Sequence, residues 1–171
     1  MLLELAKRLA RRQTRCDILF VAFGAEERRL AGSHYFWEHP PVERERIRAM
    51  VNLDMVGGMK DGLFYCQTGA GFDDGERICR EALASTGDSL RMEEASDGNS
   101  GASDNYVFET HGVPTLYFHT GIEGTALHTP QDTAERIDYE GMERLLSFLE
   151  NLVLVLDRAE SVARISPQDG N

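Results

Sequence analysis

Residues 18–23 (ILFVAF) form an unbroken apolar run, opened by Asp17 and closed by Gly24. A run of this length, rich in β-branched and aromatic side chains, matches a strand covered on both faces, the kind found in the middle of a parallel sheet. Such a sheet needs helices on both sides, so the run commits the chain to an α/β layout. The remaining pattern agrees. Residues 25–37 read as a helix leaving the strand directly, stopped by Pro40 and Pro41. Residues 48–56 and 63–68 read as strands closed by glycine, joined through a turn at Lys60, Asp61 and Gly62. A helix over 73–86 ends at Gly87, a short helix covers 104–111, and residues 113–119 form the last strand. Residues 139–156 close the domain as an amphipathic helix carrying Leu145, Leu146, Phe148, Leu149 and Leu152.

The spacing of Leu2, Leu5, Ala6 and Leu9 predicts a helix beginning almost at residue 1 with no cap residue before it, so the chain reads as starting in mid-fold. Residues 96–103 and 121–131 are expected loops. Residues 1–159 make one domain, and 160–171 are expected to be a disordered tail.

Charge and cysteine content exclude several classes. With 29 acidic against 18 basic side chains the net charge is -11, which repels a nucleic-acid backbone. Cys16, Cys66 and Cys79 form an odd set with no CxxC spacing, so neither a disulfide framework nor a thiolate zinc knuckle is indicated, and three buried free thiols are expected. No apolar run approaches the ~20 residues of a membrane span. The first residues mix charges among apolar positions and do not resemble a secretory signal, and the compartment stays open.

In sheets of this type function gathers beyond the carboxyl ends of the strands. Here those ends hold Glu26 and Glu27, Asp54, then Glu123 and His128. Carboxylates and imidazole are zinc ligands, and a divalent metal would offset carboxylates set at the end of a buried strand. Glu27, Asp54 and His128 have the right ligand types, with Glu26 free to act as a general base. Two plainer readings stand beside this one: a Glu-Glu pair also suits the positive end of a helix, and His128 also suits an ordinary loop. Asp54 is harder to explain away, because it lies between Leu53 and Met55 in an apolar strand.

The strings FVAFGAEERRLAGSHYF, VNLDMVGG, SDNYVFETHGVPTLYFHTG and LHTPQDTAERIDYEGM occur in the order found in metallopeptidase family 28. The chain resembles that family, which contains co-catalytic zinc aminopeptidases and has glutamate carboxypeptidase and glutaminyl cyclase as relatives, over about residues 1 to 156. The resemblance implies a three-layer α/β/α zinc-exopeptidase fold with a mostly parallel mixed sheet, lacking its N-terminal strands. It implies peptide-bond hydrolysis by a metal-activated water, on peptides with a free amino terminus. Glu26 becomes the general base, Glu27 and His128 ligands of one zinc, and Asp54 a ligand of the second. Ser103, Asp104 and Asp132 would line or support the site; Thr133 follows Asp132 as in the family, and an Asp-Thr helix cap explains that pair equally well. Asn105 stands where many members have histidine.

The family pattern also carries an upstream histidine and a bridging aspartate, and neither occurs in this sequence. Each zinc is thereby left below the three protein ligands usual in a catalytic site, so the chain alone is expected to be inactive or to borrow a donor, with His119 the best placed and His34, His39 and His111 less so. A binding module derived from the peptidase fold and a glutaminyl-cyclase-like acyl transferase remain alternatives. A sheet shortened in this way would leave an apolar edge at residues 17–23, so self-association is expected.

Overall fold

The computed structural model describes residues 1–87, 89–95, 103–121 and 126–159. A four-stranded mixed sheet lies at its centre. The strands are β1 (Met50–Leu53), β2 (Leu63–Thr68), β3 (Arg91–Glu94) and β4 (Thr115–His119), in the order β1-β4-β2-β3. β1 pairs with β4 in parallel and β2 with β3 in parallel, while β2 and β4 run antiparallel. The connecting helices are α1 (Leu2–Leu9), α2 (Ala31–Glu38), α3 (Gly75–Ala84), α4 (Asn105–Glu109) and α5 (Tyr139–Arg158).

The alternation of side chains across a pleated strand divides the core. Val51, Leu53, Phe64, Cys66, Leu116 and Phe118 point to one face, where they pack with Leu5 and Leu9 of α1, Ile78, Cys79 and Ala82 of α3, and Leu145, Phe148, Leu149 and Leu152 of α5. On the other face Met50 meets Val107 and Phe108 of α4 and Phe36 and Trp37 of α2. Helices thus cover both sides, giving the three-layer α/β/α arrangement. β4 is central and buried on both faces, which suits the run of Leu116, Tyr117 and Phe118 at its middle.

Three expectations need correction. Residues 17–23 carry no regular secondary structure and pair with no strand among the described residues. Their burial alternates: Ile18 and Phe20 pack against the core while Leu19 is 52% exposed. Apolar composition selects burial, but a ladder also needs two backbones in register, and among the described residues the free edge of β1 is not paired with this segment. The helix expected from residue 25 begins at Ala31, because Ala25, Arg29 and Leu30 all have positive φ and cannot continue an α-helix. Cys16 is half-buried rather than buried. The tail at 160–171 and most of the 96–103 loop lie outside the described residues.

Among the described residues no helix is long and apolar enough to cross a membrane.

Candidate active site

Residues 25–30 form a compact turn. The Arg28 and Ala31 amides donate to the Ala25 carbonyl at 3.1 and 3.2 Å, and the Leu30 amide donates to the Glu26 carbonyl at 2.8 Å. This winding holds Glu26 half-buried and Glu27 exposed. α2 then crosses directly over the start of the turn, and a Cβ on Gly32 would overlap the Gly24 carbonyl.

Asp54 follows β1, its amide donating to the Phe118 carbonyl of β4 at 3.2 Å so that pairing extends one residue past the strand. Its carboxylate is held from below. Ser103 Oγ donates to Asp54 Oδ2 at 2.7 Å, and Asn52 Nδ2 donates to Ser103 Oγ at 2.7 Å and to Asn105 Oδ1 at 3.2 Å. Thr120 fixes the loop beyond, its hydroxyl donating to the Met55 carbonyl at 2.7 Å and accepting from the Gly58 amide at 3.1 Å.

His128 comes from the loop after β4. Its Nε2 lies 2.5 Å from Glu27 Oε1, joining residues 101 apart in sequence. Positive φ recurs around these groups, at Ala25 before Glu26, at Met55 after Asp54 and at His128 itself. For residues other than glycine this backbone region is costly and clusters at functional sites.

The surroundings are acidic. Burial raises the Glu26 carboxyl above its ordinary range, and the facing carboxylates of Glu27, Asp54 and Asp104 push it further, against a smaller opposing pull from His128. Asp104, 7% exposed, is likewise raised by burial, with a hydrogen bond from Ser33 opposing and Asp54 adding to the rise. Tyr117 is pushed up to about 12 by burial, then by Asp54 and Glu26.

Glu26, Glu27, Asp54, Ser103, Asp104 and His128 therefore share one region beyond the ends of β1 and β4. Asp132 is exposed, its amide donating to the Thr129 carbonyl at 3.1 Å, and among the described residues no hydrogen bond or ion pair is seen between its side chain and the others. Thr133 stands at the N-cap of a 3₁₀ turn over Ala134–Arg136. Glu123 lies outside the described residues. His39 stacks on Tyr35, and His111 sits against Trp37 with Nδ1 2.7 Å from the Val107 carbonyl. His119 is stacked between Tyr65 and Tyr117 at 5.1 and 5.2 Å, and its Nδ1 accepts from the Gly121 amide at 3.1 Å. Burial lowers its pKa, with Asp54 opposing.

Sequence reasoning missed Asn52 and Thr120. Asn52 had a usable signal, since residues two apart in a strand share a face and Asn52 therefore lies on the side of Asp54. Thr120 had none, as one threonine after a strand is unremarkable.

Does this donor set suit zinc, as the resemblance implies? In kind it does: carboxylate oxygens and an imidazole nitrogen converge, and Asp104 Oδ1 is buried without a hydrogen-bond partner among residues whose charges are mostly negative. In number it falls short. Among the described residues no group of three His, Cys, Asp or Glu side chains is arranged to hold a metal.

Comparison with known proteins gives three findings of one kind. The model of peptidase family M28 matches residues 1–153. Aminopeptidase YwaD of Bacillus subtilis (strain 168) is 30% identical over 151 residues, covering 84% of this chain and 32% of the relative. In structure the chain is similar to BSAP, a zinc aminopeptidase from Bacillus subtilis (TM-score 0.76, 28% identity, 95% of this chain and 41% of that one), and to an aminopeptidase from Aneurinibacillus sp. strain AM-1 (TM-score 0.74, 27% identity, 96% and 39%). The chain thus spans 32–41% of the length of these relatives.

Proposed function

The chain belongs to peptidase family M28, and from that premise we propose that it carries the proton-transferring side of a zinc exopeptidase site, acting on peptides with a free amino terminus. One observation supports this reading above the others. Side chains from the turn at residues 25–30, the end of β1 and the loop after β4 converge, with Glu27 and His128 in direct contact and Glu26 beside them.

Glu27 and His128 would hold one zinc and Asp54 a second. When bound, zinc supplies Lewis acidity that makes a water acidic and polarises a carbonyl. The residues of the chain do the rest. Glu26, one residue from a ligand and itself half-buried, takes the proton of the attacking water and passes it to the leaving amine. Ser103 keeps Asp54 in one orientation through its 2.7 Å donation, and Asn52 keeps Ser103 in turn. The acidic surroundings attract the cationic amino terminus of a peptide. Each zinc has fewer than three donors among the described residues, so turnover is expected to need donors from outside them.

The test is zinc content and cleavage of an aminoacyl chromogenic substrate by the zinc-reconstituted protein and by two variants. Glu26→Gln should keep its zinc and lose roughly 10²–10⁴-fold in kcat, while Glu27→Gln should lose zinc. Zinc binding with no cleavage by any form, even when the further donors are supplied by a longer chain, would favour a binding module, and cyclisation of glutaminyl peptides an acyl transferase. Full activity in Glu26→Gln would remove the proposed base.

A further inference from the structure

A pair of buried thiols lies on the opposite face of the sheet from Asn52 and Tyr117. Cys66 of β2 is 5% exposed, Cys79 of α3 is fully buried, and their sulfurs are 3.7 Å apart. Both are free thiols.

The closeness is built into the two elements. Gly75 opens α3 against β2, where an added Cβ would overlap Thr68 Cγ2 and stand 3.2 Å from Leu116 Cδ2. From there Cys79 is four residues along the helix and Cys66 two residues back along the strand, advances of about 6 Å and about 6.6 Å. Seating Gly75 on Thr68 therefore seats Cys79 on Cys66. Phe64, Ile78, Ala82, Leu116 and Phe118 pack in the same core and hold both elements in place.

We propose that Cys66 and Cys79 form a disulfide-modification site whose co-reactant is a small-molecule disulfide of the glutathione class. One cysteine thiolate attacks a sulfur of glutathione disulfide, breaking its S–S bond and releasing one glutathione thiolate. The second cysteine thiolate attacks the protein sulfur of that mixed disulfide, forming the Cys66–Cys79 bond and releasing the second glutathione. The two protein thiols lose two electrons and two protons, and glutathione disulfide gains them as two thiols. The sulfurs need to approach by roughly 1.7 Å to reach disulfide length. The neighbouring thiol and burial both push the Cys66 thiol up, so thiolate is scarce in the closed fold and the exchange runs during folding or local opening. Cys16, half-buried with its sulfur accepting from Arg48 Nη1 at 2.8 Å, is an internal control.

The reduced protein is equilibrated over graded ratios of glutathione disulfide to glutathione, in native buffer and in concentrated guanidinium, then acid-quenched, digested without reduction and read by mass. Refolding under the same ratios gives the buried pair access to the oxidant. In native buffer the linked Cys66–Cys79 peptides should appear at a ratio about tenfold or more below that needed in guanidinium, because the fold already holds the sulfurs together. Cys16 should be recovered as free thiol or glutathione adduct. Equal oxidation in the two media, or native products dominated by pairs with Cys16, would overturn the proposal.

Discussion

Ser103 is 2% exposed and stands between two side chains that need it for different reasons. It gives its proton to Asp54 and accepts one from Asn52, so removing the hydroxyl leaves a carboxylate oxygen and an amide without that partner. Ser103→Ala should cost about 1–2 kcal/mol in urea unfolding and, on the hydrolytic reading, lower zinc affinity about 10–100-fold. Asp157 does comparable work far from the site. Burial pushes its carboxyl up, but the Arg15 and Cys16 amides, donating at 2.8–2.9 Å, more than offset this, and its pKa is lowered. A depressed folded pKa means stability that is full above the unfolded value near 3.9 and is lost as pH falls through the folded value. Asp157→Asn should therefore lower stability by roughly 1–2 kcal/mol at neutral pH, with the gap to the parent closing below about pH 4, as read from urea midpoints across pH. At this scale the sequence exposed Asp54, because a carboxylate among Leu53 and Met55 has no ordinary explanation. Ser103 was legible only through the family resemblance, and Asn52 was missed, because its importance lies in a contact with Ser103, 51 residues along the chain.

Among the elements, those whose burial follows one period were legible. α1, α3 and α5 each bury an apolar stripe, and β4 carries Leu116, Tyr117 and Phe118 in succession at its centre. β3 was not legible: Arg-Met-Glu-Glu has no apolar alternation, and it is a strand because the backbone of β2 pairs with it at the sheet edge. The opposite case is residues 17–23, which carry a strong strand sequence and pair with nothing described. Pairing is a property of two segments, and composition reports on one. Close approach between elements makes a sharper prediction. Gly75→Ala would raise helix propensity in α3 yet drive its Cβ into Thr68, Leu116 and Phe72. The clash should win, lowering stability by roughly 1–3 kcal/mol, and a stabilised variant in thermal unfolding would show that α3 can lift from β2.

Over the whole molecule, a net charge of -11 and an uncovered apolar segment pull in opposite directions. Residues 17–23 leave Leu19 half exposed and their backbone without ladder partners among the described residues, while mutual repulsion keeps copies apart at low salt. Raising salt screens the repulsion and leaves the apolar attraction, so the protein should self-associate more as ionic strength rises. Sedimentation velocity over a range of concentration and salt checks this, and a monodisperse monomer throughout would contradict it. β4 adds a consequence for time. It is paired on both sides and covered on both faces, while Glu27 and His128 sit on exposed turns. Deuterium should enter the turns early and residues 115–119 last, so the proposed chemistry would run at the boundary between the fastest and the slowest clocks in the protein.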